Sequence, residues 1–355
     1  MCGHYLLEGP ITAIPHTLGE LAHIVGQGTG PGSPRGQVRM SASERDSADN
    51  LMLLCPNEHD EVDRRGSLEV ATITFLRTKK REHEELVRRL VTTPRDRATA
   101  ILRVIGDVQG EAVQIPREVT TAVVVQAGRF ADFALAFDRQ GVEIDLRGIP
   151  GEREGSPTYW AAARERIDRA IDRVAEGIRL DAIKHLSVFA FARLPLLVYL
   201  GSKLDDTYPV DIYQRRRAGQ SWKWPEGPAA QFVAEMPAER ADEMVLMVNV
   251  SGTVDPNQLP DELQALPRIT LRIDGTPGVD AVASRATLAV FEEQVRSTFA
   301  ILEAPPKIVR RVHLVAILPM STAVALGRAH NPPVHPGLVV YEKTGNTYRP
   351  AVTIE

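Results

Sequence analysis

Three residues in the first fifth of the chain carry side chains suited to hydrolysing a phosphodiester: His23, Asn50 and His59. At neutral pH that reaction needs a base to take a proton from water. It also needs positive charge to stabilise the crowded phosphorus of the transition state, and a divalent ion commonly supplies it. His23, within the short apolar run Leu21 to Val25, suits the base, and His59 suits a metal ligand. Asp63 follows His59 by four residues, so a helix there places both on one face. Asn50 suits holding the backbone, or His23, in position. The elements that must position these groups are short: a strand or turn over Leu51–Leu54, broken by Cys55-Pro56, then a polar helical segment through Asp63, with Glu20-Leu-Ala-His23-Ile upstream.

The pieces Ala22-His23-Ile24, Asn50 through Cys55, and His59 with Asp63 resemble the HNH nucleases, whose core is a ββα-metal fold. The resemblance implies His23 as general base, Asn50 as its positioning partner and His59 as a ligand of a catalytic Mg²⁺ or Mn²⁺ ion, with double-stranded DNA as substrate. Ala22 stands where many members carry an aspartate ligand, so Glu20 or a water is expected to substitute, with Asp63 completing the set. Glu58 stands where many members carry a cysteine.

The chain has 355 residues, 43% of them hydrophobic, enough for two or three packed domains. No apolar run approaches the length of a membrane span and no signal pattern opens the chain, so a cytoplasmic protein without membrane partners is expected. Net charge is −4, and residues 1–92 hold 11 Lys plus Arg against 13 Asp plus Glu. Phosphate neutralisation supplies most non-specific DNA affinity, so one such lobe should hold DNA weakly and work when several copies assemble. Both cysteines, Cys2 and Cys55, fall in this lobe; a structural Zn²⁺ site is their candidate role, with His4, His16 or His59 near in sequence.

Residues 26–36 are glycine- and proline-rich and read as a mobile hairpin loop from which Arg35 and Arg39 could reach phosphates. A basic helix is expected over Val70–Leu90, with the domain boundary at Thr92-Thr93-Pro94. Residues 93–118 read as a connector with a helix from Asp96 to Ile105. Beyond it, strands are expected over Thr120–Val125 and Val142–Leu146, then an amphipathic helix over Thr158–Ile178. Strands alternating with helices argue for an α/β sheet.

The second part of the chain carries a near-repeat. Residues 188–213 and 314–341 each read as a buried strand, a turn at Leu-Pro, a short helix ending in Leu-Gly and another strand ending in Tyr, the copies about 126 residues apart. Two related α/β halves, about 119–240 and 241–355, are the economical reading. Ligands of such sheets sit beyond the carboxyl ends of the strands, near Leu194-Pro195 and Pro319-Met320-Ser321-Thr322. Two such ends facing each other would suit a ligand with two similar halves. Between the copies lie Tyr213-Gln214-Arg215-Arg-Arg and Trp222-Lys-Trp224, guanidinium and indole groups suited to phosphates and bases. The core is the competing role for the two indoles.

His185-Leu-Ser-Val-Phe-Ala, Leu196 to Gly201, Ile212-Tyr-Gln-Arg, Trp222-Lys-Trp224 and His313-Leu to Leu326-Gly327 together resemble a SAVED domain, the sensor of bacterial anti-phage cyclic-oligonucleotide signalling (CBASS). An α/β multidomain chain is thus expected, an HNH domain (1–92) followed by a SAVED domain (119–355) of two Rossmann-like halves. The resemblance implies a ligand site drawn from Tyr213, Gln214, Arg215, Trp222, Trp224, Pro319, Ser321 and Thr322. It implies a cyclic dinucleotide, or trinucleotide, made by a partner cyclase, that drives homo-oligomers to degrade DNA.

Overall fold

The computed structural model describes residues 6, 17–92, 95–108, 111–132, 142–153, 155–204, 207–216, 218–305 and 309–355. The chain divides into two compact units, Met1–Thr92 and Thr93–Glu355.

In the first unit β1 (Glu20–His23) pairs antiparallel with β2 (Leu51–Leu54), placing His23 opposite Leu51. Between them lies the short helix α1 (Ala42–Arg45), closed by a capping box in which Ser41 and Glu44 satisfy each other's backbone donors. Helix α2 (Pro56–Asp63) follows β2 at once, because Pro56 at its first position already has helical φ. Strand alternation turns Ala22, Met52 and Leu54 inward onto Ile24, Ala71 and Leu76, the last from helix α3 (Ile73–Thr92).

The glycine-rich loop after β1, expected as a mobile hairpin, closes with Gly26 N–H on the Pro34 carbonyl and is wound around two arginines. Arg45 is buried and donates to the carbonyls of Met40, Gly26, Gly36 and Val38. Arg35, at φ 54°, donates to Ile24, Val62, Ala71 and His23 and pairs with Asp63 at 2.5 Å. Its guanidinium is committed inside the lobe, so Arg35 does not reach out to DNA phosphates.

The second unit begins where a connector was expected. Residues Ala98–Ile105 form strand β3, not a helix, and β3 lies inside the first sheet. After the small hairpin β4 (Asp107–Val108) and β5 (Glu111–Ala112) comes helix α4 (Arg117–Gln126), where a strand over Thr120–Val125 was expected. The chain continues through β6 (Phe130–Ala131), β7 (Val142–Asp145), α5 (Pro157–Arg179), β8 (Leu186–Phe191), α6 (Leu194–Lys203) and β9 (Val210–Tyr213). All the pairings of this sheet are parallel: β3 pairs with β6, β7 and β8, and β8 pairs with β9. The second half then runs β10 (Phe232–Glu235), β11 (Glu243–Asn249), α7 (Asp261–Gln264), β12 (Arg268–Ile273), α8 (Arg285–Glu303), β13 (Arg311–Ile317), α9 (Met320–Ala329), β14 (Gly337–Thr344) and β15 (Thr347–Ile354). Its sheet order is β10-β12-β11-β13-β14-β15, with β10 and β15 antiparallel edges. The halves therefore begin near 98 and 232 rather than 119 and 241.

The repeat is deeper than the sequence suggested. The parallel strands β7-β3-β8-β9 and β12-β11-β13-β14 have the same order and the same intervening helices, so each half is a β-α-β-α-β-α-β unit. Helices α5, α6, α8 and α9 share one core between the two sheets, while α4 and α7 cover the outer faces in separate clusters. Helices α6 and α9 cross where Gly201 meets Gly327. A Cβ on Gly201 would strike the Val324 carbonyl, and one on Gly327 the Val198 carbonyl. These glycines are not helix ends: α6 continues to Lys203 and α9 to Ala329.

Gly201→Ala or Gly327→Ala should destabilise the second unit by about 1–3 kcal/mol or more, because the obstacle is backbone rather than a movable side chain. Thermal unfolding of the full chain reads this as a lowered Tm; an unchanged Tm in both variants would refute the close crossing.

Candidate functional site

Of the groups expected to act on phosphodiesters, His23 ends β1, Asn50 closes the 3-10 turn Ala48–Asn50 just before β2, and His59 lies on α2. His23 Nε2 lies 3.2 Å from Asp46 Oδ1, and the Gln27 amide donates to the same oxygen at 3.4 Å. Asp46 was not foreseen; nothing in its spacing from His23 marks it, since the loop that joins them sets the contact. An aspartate on one imidazole nitrogen fixes the orientation of the ring and the tautomer that leaves the other nitrogen as acceptor.

Asn50 is buried and works on the backbone. Its amide donates to the carbonyls of Val25 (2.9 Å) and Arg45 (2.8 Å), and its oxygen accepts from Val25 N–H (2.9 Å). It ties the residues after His23 to the end of α1, so its influence on His23 runs through the chain rather than by side-chain contact.

Glu20, His59 and Asp63, expected around a catalytic ion, are neighbours. His59 Nδ1 meets Glu20 Oε2 at 2.7 Å and Nε2 meets Asp63 Oδ2 at 3.5 Å, across the predicted turn of α2. Both ring nitrogens thus face carboxylates, and Asp63 is neutralised by Arg35. Among the described residues no group of three or more His, Cys, Asp or Glu side chains is arranged to hold an ion. In this arrangement the residues do not fit the expected Mg²⁺ or Mn²⁺. Cys55 is buried at the N-cap of α2, while Cys2, its expected zinc partner, lies outside the described residues.

In the second unit the carboxyl ends of β8 and β13 lead, as expected, into Leu194-Pro195 and Pro319–Thr322 at the starts of α6 and α9. The structure brings Gln214, just past β9 of the first half, onto α9 of the second: its Oε1 accepts from Ser321 N–H at 2.9 Å, while its Nε2 donates to Arg215 carbonyl at 2.7 Å. Ser321 is 1% exposed and its Oγ has no hydrogen-bond partner in the structure. A buried unpaired hydroxyl costs free energy that a ligand atom can recover. The first turn of α9 adds the positive end of the helix dipole. Arg215 lies over the Phe191 ring, part-exposed.

Four of the expected ligand residues are otherwise engaged. Tyr213 stacks on Phe189 with centroids 4.4 Å apart, and Trp222, 2% exposed, meets Phe189 edge-on at 5.5 Å. Both belong to the outer core with α4, where the β3 and β8 side chains need a large apolar cover. Burial pushes the Tyr213 phenol up, and Arg285 donates to its oxygen. Thr322 is fully buried and donates to the Pro319 carbonyl, closing the first turn of α9, and Pro319 is the buried N-cap. Trp224 is part-exposed and donates from its indole to Ile212 carbonyl at 3.0 Å. Gln214, Arg215 and Ser321 are what the site retains, with Trp224 at its margin.

Comparison with known proteins gives the following. The family model for the SMODS-associated and fused to various effectors sensor domain (SAVED) matches residues 166–354, more than half of the chain. Among solved structures, the Acinetobacter baumannii Cap4 SAVED/CARF-domain containing receptor with the cyclic trinucleotide 3'3'3'-cAAA is 12% identical at a TM-score of 0.49, covering 86% of this chain. The Moraxella osloensis Cap4 SAVED/CARF-domain containing receptor is 11% identical at a TM-score of 0.44, again covering 86%. The chain spans 63% and 61% of the length of these two receptors. No curated protein matches the chain.

Asn50→Ala removes three buried hydrogen bonds and leaves Val25 and Arg45 backbone groups unpaired, a loss on the order of 3 kcal/mol. Hydrogen exchange on the full chain should show β1 and β2 amides exchanging faster with second-unit amides unchanged. Unaltered exchange at β1 would show that Asn50 is not the brace of this loop.

Proposed function

The chain belongs to the SAVED family, and from that premise we propose that it senses a cyclic oligonucleotide in anti-phage defence and answers by cutting double-stranded DNA. The observation that carries the sensor half is the junction of Gln214 with the first turn of α9, where the buried Ser321 hydroxyl is left without a hydrogen-bond partner. Phosphate oxygens suit such a helix start, and Arg215 is at hand to pair with them. The solved Acinetobacter receptor carries a cyclic trinucleotide. A cyclic dinucleotide, with two bases and two phosphates, matches the two-half construction of the second unit.

For the first unit, the succession of β1, β2 and α2, with His23 held by Asp46, supports an HNH-type phosphodiesterase. His23, gripped at Nε2, takes the proton of a water at Nδ1. The water oxygen bonds to phosphorus as the bond to one sugar oxygen breaks, and the leaving oxygen takes a proton from solvent. Asp46 stabilises the imidazolium meanwhile. Among the described residues no donor set matches the ion that such nucleases are expected to use. Ligand binding acts on cleavage through assembly: a ligand that binds the homo-oligomer more tightly than the idle protein shifts the population to it and brings several first units onto one duplex. Among the described residues no helix is long and apolar enough to cross a membrane.

A second reading, a sensor whose first unit no longer cuts, is favoured by His59, whose two ring nitrogens are both engaged by carboxylates. Plasmid cleavage with Mg²⁺ or Mn²⁺ across a panel of cyclic di- and trinucleotides separates the two. Cleavage in one ligand lane is the expected result; binding without cleavage in any lane favours the second reading. His23→Ala should lower cleavage by at least 100-fold while ligand affinity stays within twofold; loss of both would refute the division of labour.

A further inference from the structure

The two halves present different chemistry at equivalent positions. Strands β8 and β9 pair with Leu186 beside Val210, and β13 and β14 pair with Val312 beside Leu338. Since α6 and α9 begin the same distance after these strands, Val210 corresponds to Leu338 and the buried Tyr213 to the buried Tyr341. The residue after each tyrosine is Gln214 in one half and Glu342 in the other. Each of α6 and α9 packs on the last parallel strand of the opposite half, α6 on β14 and α9 on β9. Glu342 is therefore to α6 what Gln214 is to α9.

The surroundings differ accordingly. Gln214 has both ends of its amide occupied. Glu342 instead lines a cavity of about 470 Å³ between the start of α5 and the β14–β15 hairpin, within the range of small-molecule sites. Trp160, Arg164, Gly155, Thr344 and Arg349 share its wall. Trp160 offers an indole, Arg193 lies against it at 5.7 Å, and Arg164 Nε is buried without a hydrogen-bond partner. Gly155, at φ 60°, leaves space that a side chain would take from the Trp160 ring and Arg193. An aromatic wall, cations and a single carboxyl in one cavity are the elements of a nucleotide-base subsite.

An amide offers one donor and one acceptor, matching the pairing edge of adenine, whereas a carboxylate offers two acceptors. Guanine presents two adjacent N–H donors on its pairing edge. We propose that the cavity beside Glu342 is a base subsite that selects guanine, Glu342 accepting from both N–H groups. This rests on the cyclic-oligonucleotide reading above. Burial pushes the Glu342 carboxyl up to about 7, with nearby Arg193 pulling it partly back. The groups around it are Arg193 at the start of α6, Tyr159 and Arg164 on α5, and Arg349, its partner across β15. Since the charged form accepts guanine, affinity should fall as pH drops below about 7, approaching tenfold per unit.

The test is calorimetric titration of the full chain with cyclic dinucleotides holding two guanines, one guanine or two adenines, and with cyclic trinucleotides, in 3′–5′ and mixed 2′–5′ linkages. Wild type should bind a guanine-containing member best and lose affinity from pH 7.5 to 6. Glu342→Gln should weaken that member at least tenfold, spare or improve the adenine-only ligands, and abolish the pH slope. A merely structural role would weaken every ligand alike. If the preferred ligand lacks guanine, or Glu342→Gln binds every ligand within twofold of wild type, the guanine subsite is refuted while the sensor reading stands. If wild type binds no member, both fall. Should the variant not fold, the wild-type preference and pH slope still decide.

Discussion

The contact on which the second unit depends is the crossing of two helices at glycine. Where Gly201 of α6 meets Gly327 of α9, each backbone lies where the other's Cβ would be. Such closeness lets two half-sheets share one apolar core through α5, α6, α8 and α9. It also fixes the functional geometry, because the same two helices carry at their N-terminal ends the positions that face the opposite half. Gln214 reaches Ser321 because α9 lies against β9. A wider crossing would carry these helix starts away from the strand ends that serve them.

The first unit solves a different problem. It has few apolar residues in its core, and much of its loop is held by hydrogen bonds from Arg35, Arg45 and Asn50 to backbone carbonyls. A guanidinium carries several donors in a fixed plane, so one arginine can fasten several turns of chain. The cost is that these cations are lost to the surface. Net charge over residues 1–92 is already negative, so the burial of two arginines weakens any field toward DNA further. That strengthens the case for action through assembly, in which each lobe adds a small affinity to a larger whole.

The parts of the fold legible in the sequence are those with a strong period or punctuation. The amphipathic stripe of α5, the Cys55-Pro56 break before α2, and the β-α-β repeats around Leu-Pro were all readable. Strand β3 looks helical in sequence because a parallel strand covered on both faces lacks the polar alternation that marks a strand, and even its Thr99 and Arg103 are buried. Helix α4 was read as a strand because Thr120 to Val125 is a run of residues with high β-propensity, overridden by packing against β3 and β8. Gly201 and Gly327 looked like helix stops because a glycine needed for a close crossing and one needed for a C-cap are the same letter. The roles of Arg35 and Asp46 depend on contacts made across a long loop, and spacing carries no record of them.

The rest of the candidate site follows one rule: large groups near strand ends are taken by the core unless a cavity keeps them out. Tyr213 and Tyr341 occupy equivalent positions and both point into outer cores, although Tyr213 looks suited to a ligand in sequence. The residue after each tyrosine points to the inner side, because side chains alternate along a strand. One step along the chain thus separates a packing position from a recognition position. The exchange of amide for carboxyl at that single step is also free of the core, since neither group fills apolar space. A duplicated half can therefore change the chemistry it presents at a strand end without changing how it folds.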